Sequence, residues 1–92
     1  MIRPFHLAIP VLDLEKSREF YQQVLGCSLG RSDDEWIDFN FFGHQLVIHK
    51  SKNIQKKDFN NVDGHDVPIP HFGVILEWEN WHTFSNQIKD KI

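Results

Sequence analysis

"PFHLAIPVLDLEKSREFYQQVLGC", residues 4–27, decides the fold, because it passes in one step from a strand pattern to a helix pattern. Phe5 to Val11 is rich in Leu, Ile and Val, and Asp13 then offers a side-chain oxygen as an N-cap. From Leu14 onward the apolar or small positions are Leu14, Ser17, Phe20, Tyr21, Val24 and Leu25, a three-and-four spacing that predicts one helix over residues 14–25. Gly26 ends it, since glycine accepts the left-handed conformation that closes a helix, and Cys27 to Ser32 then runs as a short edge strand.

Working outward, "WIDFNFFGHQLVIH", residues 36–49, alternates Ile37, Phe39 and Phe41 with Asp38 and Asn40 before Gly43 and His44. That alternation predicts a hairpin. With Gly43 opening a two-residue type II′ turn, Phe41 faces Leu46, Phe39 faces Ile48 and Asp38 faces His49. One face is then oily, and the apolar stripe of helix 14–25 is its natural cover. Residues 1–50 are thus expected to form a βαβββ module, which places the chain in the α+β class.

Residues 51–68, "SKNIQKKDFNNVDGHDVP", hold no sustained period and are expected to be a surface linker. Loops of that length usually serve a function or join units, so a new unit is expected after it. Residues 69–92 supply one. In "PIPHFGVILEWENWHTF", His71 falls on His6, Gly73 on Ala8 and Val74 on Ile9, and a helix pattern follows in both copies. Asn80 is the expected N-cap of this second helix, with Trp81, Phe84, Ser85, Ile88 and Ile92 as its stripe.

The two opening strands carry the chemistry. Side chains alternate along a strand, so His6 shares a face with Ala8, and His71 with Gly73. Leu7, Ile9 and Val11, with Phe72, Val74 and Leu76, point the other way, toward the helices. A small neighbour beside each histidine leaves that face shallow, as the floor of a cleft requires. A lone strand histidine is most simply a satisfied polar group; its recurrence at the equivalent place favours a ligand pair. Neutral imidazole nitrogens suit borderline divalent metals, and open coordination positions would let the ion act as a Lewis acid and a template. His44 reads as a turn residue, His82 as an exposed helix residue and His65 as part of the linker.

Composition narrows the field. Ninety-two residues make one domain at most, with ten Lys and Arg against thirteen Asp and Glu and no basic run that could track phosphates. Nucleic acid is not expected as a partner. Cys27 is the single cysteine, so no internal disulfide forms, and the N-terminus lacks a secretory pattern; the cytoplasm is the expected location. No apolar run reaches the roughly 20 residues of a membrane span.

The phrase "FHLAIPVLDLEKSREFYQQVLGC", with "FY" followed three residues later by "LG", resembles the opening strand and helix of the vicinal oxygen chelate superfamily. That superfamily includes glyoxalase I, extradiol dioxygenases and bleomycin-resistance proteins. The resemblance implies a complete βαβββ module followed by the βα start of a second, with a divalent metal (Fe, Zn, Ni or Mn) held between modules. By position His6 and His71 match the first-strand ligands. His49 of "LVIH" matches a further ligand position at the end of the fourth strand, with Asp38 opposite it to orient the ring. Asn40 and Gln45 join Asp38 as expected cleft side chains.

The implied function is that of a metal-dependent lyase or ring-cleaving dioxygenase acting on a small, oxygen-rich molecule. The alternatives are a metal-free module that binds a small molecule or confers resistance by sequestering it, and an inactive truncated remnant. The glutamate that usually completes the site, on the last strand of the second module, has no counterpart up to Ile92. A second module of one strand and one helix leaves sheet edges uncovered, so the chain is expected to act as a homodimer exchanging elements, or as part of a longer protein.

Overall fold

A computed structural model describes residues 3–54 and 58–92. The chain runs β1 (His6–Val11), α1 (Leu14–Glu19), β2 (Ser28–Ser32), β3 (Trp36–Phe41), β4 (His44–Lys50), β5 (Asp58–Val62), β6 (His65–Ile69) and α2 (Trp78–Ile88). Four strands form one mixed sheet in the order β1-β4-β3-β2, with β1 parallel to β4 and the other neighbours antiparallel. This is the expected βαβββ arrangement, with a β-β-α start of a second module after it.

Asp13 caps α1 as its sequence position predicts: its Oδ1 accepts the Lys16 N–H at 2.9 Å. The helix does not run unbroken to residue 25. Phe20–Val24 widens into a π-type turn, in which the Leu25 N–H reaches the Phe20 carbonyl at 3.0 Å. Phe20 consequently falls off the stripe and is exposed, while Leu14, Tyr21 and Leu25 keep their contact with the core. On the outer side of the helix, Arg18 binds Glu15 and holds the Glu15 carboxyl below its ordinary value.

Phe39, Leu46 and Ile48 are the most enclosed side chains, joined by Ile37 and Cys27 and flanked by Leu7, Ile9 and Val11 of β1. Tyr21 lays its ring 5.5 Å from Phe39 and 6.5 Å from Phe41, which seats α1 on the sheet. Burial pushes the Tyr21 phenol and the Cys27 thiol above their ordinary pKa values, because each anion would lose its water.

The β3–β4 hairpin differs from expectation by two residues of register. Phe42 and Gly43, not Gly43 and His44, form its tip, with φ of 52° and 86°. Two left-handed residues define a type I′ turn, whose twist matches that of the strands. Phe41 therefore faces His44, Phe39 faces Leu46 and Ile37 faces Ile48. A shift of two keeps every side chain on its expected face, so the oily side is unchanged. The pairing of Asp38 with His49 is lost: Asp38 faces Val47, and His49 faces Trp36.

Two further expectations are corrected. Within the linker expected at 51–68, β5 and β6 form a hairpin around Asp63 and Gly64, both left-handed. Residues 71–77, expected as the second opening strand, pair with no strand among the described residues, and without a neighbour to take its N–H and C=O groups an extended segment is not a strand. The second helix begins one turn early, at Trp78 with Glu77 as its N-cap, and ends before Ile92, which lies exposed beyond it. Of its expected stripe, Phe84, Ser85 and Ile88 are half-buried, while Trp81 stays exposed. Phe72 reaches back to Phe41 at 5.8 Å and Phe84 to Phe42 at 5.4 Å, anchoring the later residues on the first hairpin.

Candidate functional site

Strand pairing fixes what shares the polar face of the sheet. His6, Ala8 and Pro10 of β1 stand beside Gln45, Val47 and His49 of β4, and these in turn oppose Asn40, Asp38 and Trp36 of β3. In β1 the even-numbered residues are exposed and the odd-numbered ones half-buried, so the histidine does lie on the face turned away from the helix.

On this face His6 Nδ1 lies 2.7 Å from Gln45 Oε1, and Gln45 Nε2 donates to Asp38 Oδ1 at 3.2 Å. Arg31 of β2 brings its Nε to 3.9 Å from Asp38 Oδ2 and sets its guanidinium carbon 5.7 Å from the centre of the Trp36 ring. All four strands thus feed one row of polar groups. Asp38 is buried, and within the described residues every buried polar side-chain atom has a partner. Val47 is buried beside it, so the middle of this face is sheltered from solvent. An open depression of about 270 Å³ runs alongside, lined by Pro4, Gly30, Asp38, Asn40, Gly43 and Gln45.

The expected site residues separate into two groups. His6, Gln45 and Asp38 come together. Asn40 lies opposite Gln45, but its side-chain oxygen accepts the Gly43 N–H at 2.8 Å and so serves the turn. His49 shares the face of His6 but sits four residues along β4 from Gln45, about 13 Å at roughly 3.3 Å per residue. His71 holds Nδ1 2.7 Å from the Pro68 carbonyl oxygen. Among the described residues no three His, Cys, Asp or Glu side chains converge as a ready metal cluster.

A metal fits His6 on the chemistry of its nitrogens. With Nδ1 engaged by a carbonyl oxygen, the neutral form of the ring keeps its electron pair on Nε2, the arrangement that borderline cations take. Two residues escaped the sequence reading. Arg31 became a neighbour of Asp38 through an irregular stretch of β2, where the pairing shifts between Leu29 and Ser32. His44, read as a turn residue, accepts the Phe5 N–H on Nδ1 at 2.8 Å and pins the residue before His6. Strand pairing in the corrected register would have shown that His44 lies at the β1 end of β4, but no local pattern marks either residue.

A second cavity, about 410 Å³, lies on the apolar face, between Phe5, Leu7, Phe41 and Leu46 on one side and the segment from Phe72 to Ile75 on the other. No helix among the described residues is long and apolar enough to cross a membrane.

Residues 3–39 match the bleomycin resistance protein-like N-terminal family. No curated protein matches the chain. A glyoxalase/bleomycin resistance protein/dioxygenase from Alicyclobacillus acidocaldarius is 33% identical in sequence and superposes with a TM-score of 0.75 over 97% of this chain. The present chain spans 63% of that protein's length. The genomically encoded fosfomycin resistance protein FosX from Listeria monocytogenes shares the fold, with a TM-score of 0.69 at 21% identity, over 99% of this chain and 68% of its own. Strand order, opening motif and these likenesses agree: the chain has the fold of the glyoxalase, bleomycin resistance protein and dioxygenase structures it resembles, and its opening residues match the bleomycin resistance protein-like N-terminal family.

Proposed function

We propose that this chain serves a divalent-metal-dependent lyase or dioxygenase activity on a small molecule with neighbouring oxygen atoms. The observation that carries the reading is His6: on the open face of the sheet, its Nδ1 is tied to Gln45, leaving Nε2 as the donor. His71 and His49 are the further candidate ligands, brought to the ion across a homodimer. A divalent ion there supplies Lewis acidity toward substrate oxygens. The chain's own part is to hold His6 in one orientation and to shelter the floor of the face with Val47 and Asp38.

Elemental analysis of the purified protein tests this, with His6→Ala and His71→Ala alongside. Bound Fe, Zn, Ni or Mn is expected in the parent protein and is expected to fall in both variants. Unchanged content in both removes the reading. A second reading, as a metal-free binding or resistance module, draws on the 410 Å³ apolar cavity with Phe5, Phe41 and Phe72 in its walls. Under it an aromatic ligand would quench tryptophan fluorescence equally well with and without a chelator.

A further inference from the structure

On the polar face each side chain sets the orientation of the next. Asp38, buried on β3, presents a carboxylate, which has acceptor oxygens only. Gln45 must therefore turn Nε2 toward it, as the 3.2 Å contact with Oδ1 requires. That turn points the other end of the carboxamide, Oε1, at His6 Nδ1, 2.7 Å away. An oxygen acceptor at that distance needs a proton on Nδ1, so the His6 electron pair resides on Nε2. Flipping the amide would set oxygen against carboxylate at one end and leave the NH2 facing the imidazole at the other. Gly30, with no side chain, leaves Asp38 its place, and Arg31 faces the second carboxylate oxygen.

We infer that Asp38 and Gln45 are positioning residues that lock His6 in the Nδ1–H tautomer and so present Nε2 to a divalent cation. The purpose of the lock rests on His6 being a ligand, as proposed above; the lock itself is a property of the metal-free chain. A neighbour provides the internal control. His44 accepts the Phe5 N–H on Nδ1 at 2.8 Å, so its own proton sits on Nε2, the opposite tautomer, one residue away from Gln45.

Long-range nitrogen–proton correlation spectra of the metal-free protein, at a pH where both rings are neutral, read the two tautomers directly. His6 is expected to show a protonated Nδ1 and His44 a protonated Nε2. In Asp38→Asn the new amide can donate as well as accept, so the Gln45 carboxamide is released and His6 moves to a mixture of tautomers. Gln45→Met, of similar length, does the same. In both variants the His44 signals stay in place and report an intact fold. Zn²⁺ titration against a chromophoric chelator is expected to show affinity about 10- to 100-fold weaker in both, the usual effect of losing a group that orients a ligand.

A protonated Nε2 on His6 in the parent protein, or a His6 spectrum unmoved by Asp38→Asn, overturns the lock. The expected tautomer with Zn²⁺ affinity unchanged in both variants overturns its role toward the cation. If the tautomers behave as expected but the parent protein binds no Zn²⁺, the lock stands and the reading of His6 as a ligand falls.

Discussion

Gly30 and Asp38 approach so closely across β2 and β3 that a β-carbon added to Gly30 would stand 3.0 Å from the Asp38 Cβ. The Asp38 backbone oxygen, 3.6 Å from the same point, is in ordinary contact, but the Cβ is fixed by its own backbone, so no change of side-chain rotamer clears the space. Gly30→Ala is expected to cost about 1–3 kcal/mol through overpacking. Because Asp38 is the group that must yield, the Gln45 contact is expected to loosen as well. Urea denaturation measures the first effect; a parental midpoint in the variant would show that the two strands separate freely.

The core is small, which makes each member count. Ile48 is fully enclosed between β1, β3 and the helix, and Ile48→Ala is expected to lose about 2–5 kcal/mol. That is a large share of the roughly 5–15 kcal/mol a domain possesses. Ile75 is fully exposed, and the same truncation there is expected to change stability by no more than about 0.5 kcal/mol. Equal losses at the two positions would mean that Ile75 is covered in solution.

Much of the first module was legible because its signals are local. Asp13 as a cap, the three-and-four stripe and the alternation of Ile37, Phe39 and Phe41 each report one element through one period, and a two-residue error of register left the faces intact. The second hairpin had a signal too. Asp63-Gly64 is a strong type I′ turn pair, and Asn61 before it caps the Gly64 N–H at 3.2 Å as Asn40 caps Gly43, yet few apolar residues flank it and the lysines upstream suggested a loop. The repeat around His71 misled in the other direction. Sequence similarity to β1 gives 71–77 a strand-like pattern, but a strand exists only where a neighbour completes the ladder.

The site was legible only by face. Parity put His6, Asp38 and Gln45 on one side of the sheet, but which of them touch depends on the hairpin register. Asp38 was assigned to His49, and the correct tip at Phe42-Gly43 hands it instead to Gln45 and hence to His6.

His44 ties down the approach to β1. Its Nδ1 receives the Phe5 N–H, and the Phe5 carbonyl in turn accepts the Gln45 N–H at 2.8 Å. His44→Ala removes the acceptor and is expected to lower stability by about 1 kcal/mol. Its sharper signature is local: hydrogen exchange at the Phe5 amide speeds up while exchange at Ile48 changes only with global stability. An unchanged Phe5 rate would mean that this bond does not form in solution.

Alkaline pH should reveal the two shielded acids of the core, the buried Cys27 thiol and the half-buried Tyr21 phenol. Burial raises the Cys27 thiol and the Tyr21 phenol above their ordinary pKa values in the folded chain. As pH rises past those values the unfolded chain gives up both protons first and holds fewer than the native chain, so stability falls with pH. The contribution is whole below the unfolded values and lost on passing through the folded ones. Urea midpoints measured from pH 8 to 11 are therefore expected to decline, beginning in the thiol range and steepening in the phenol range. Tyr21→Phe keeps the ring against Phe39 but has no proton to lose, and it should flatten the upper part of the decline. Cys27→Ala should flatten the lower part from a reduced starting midpoint. Parallel curves for all three proteins would place the alkaline loss outside these two groups.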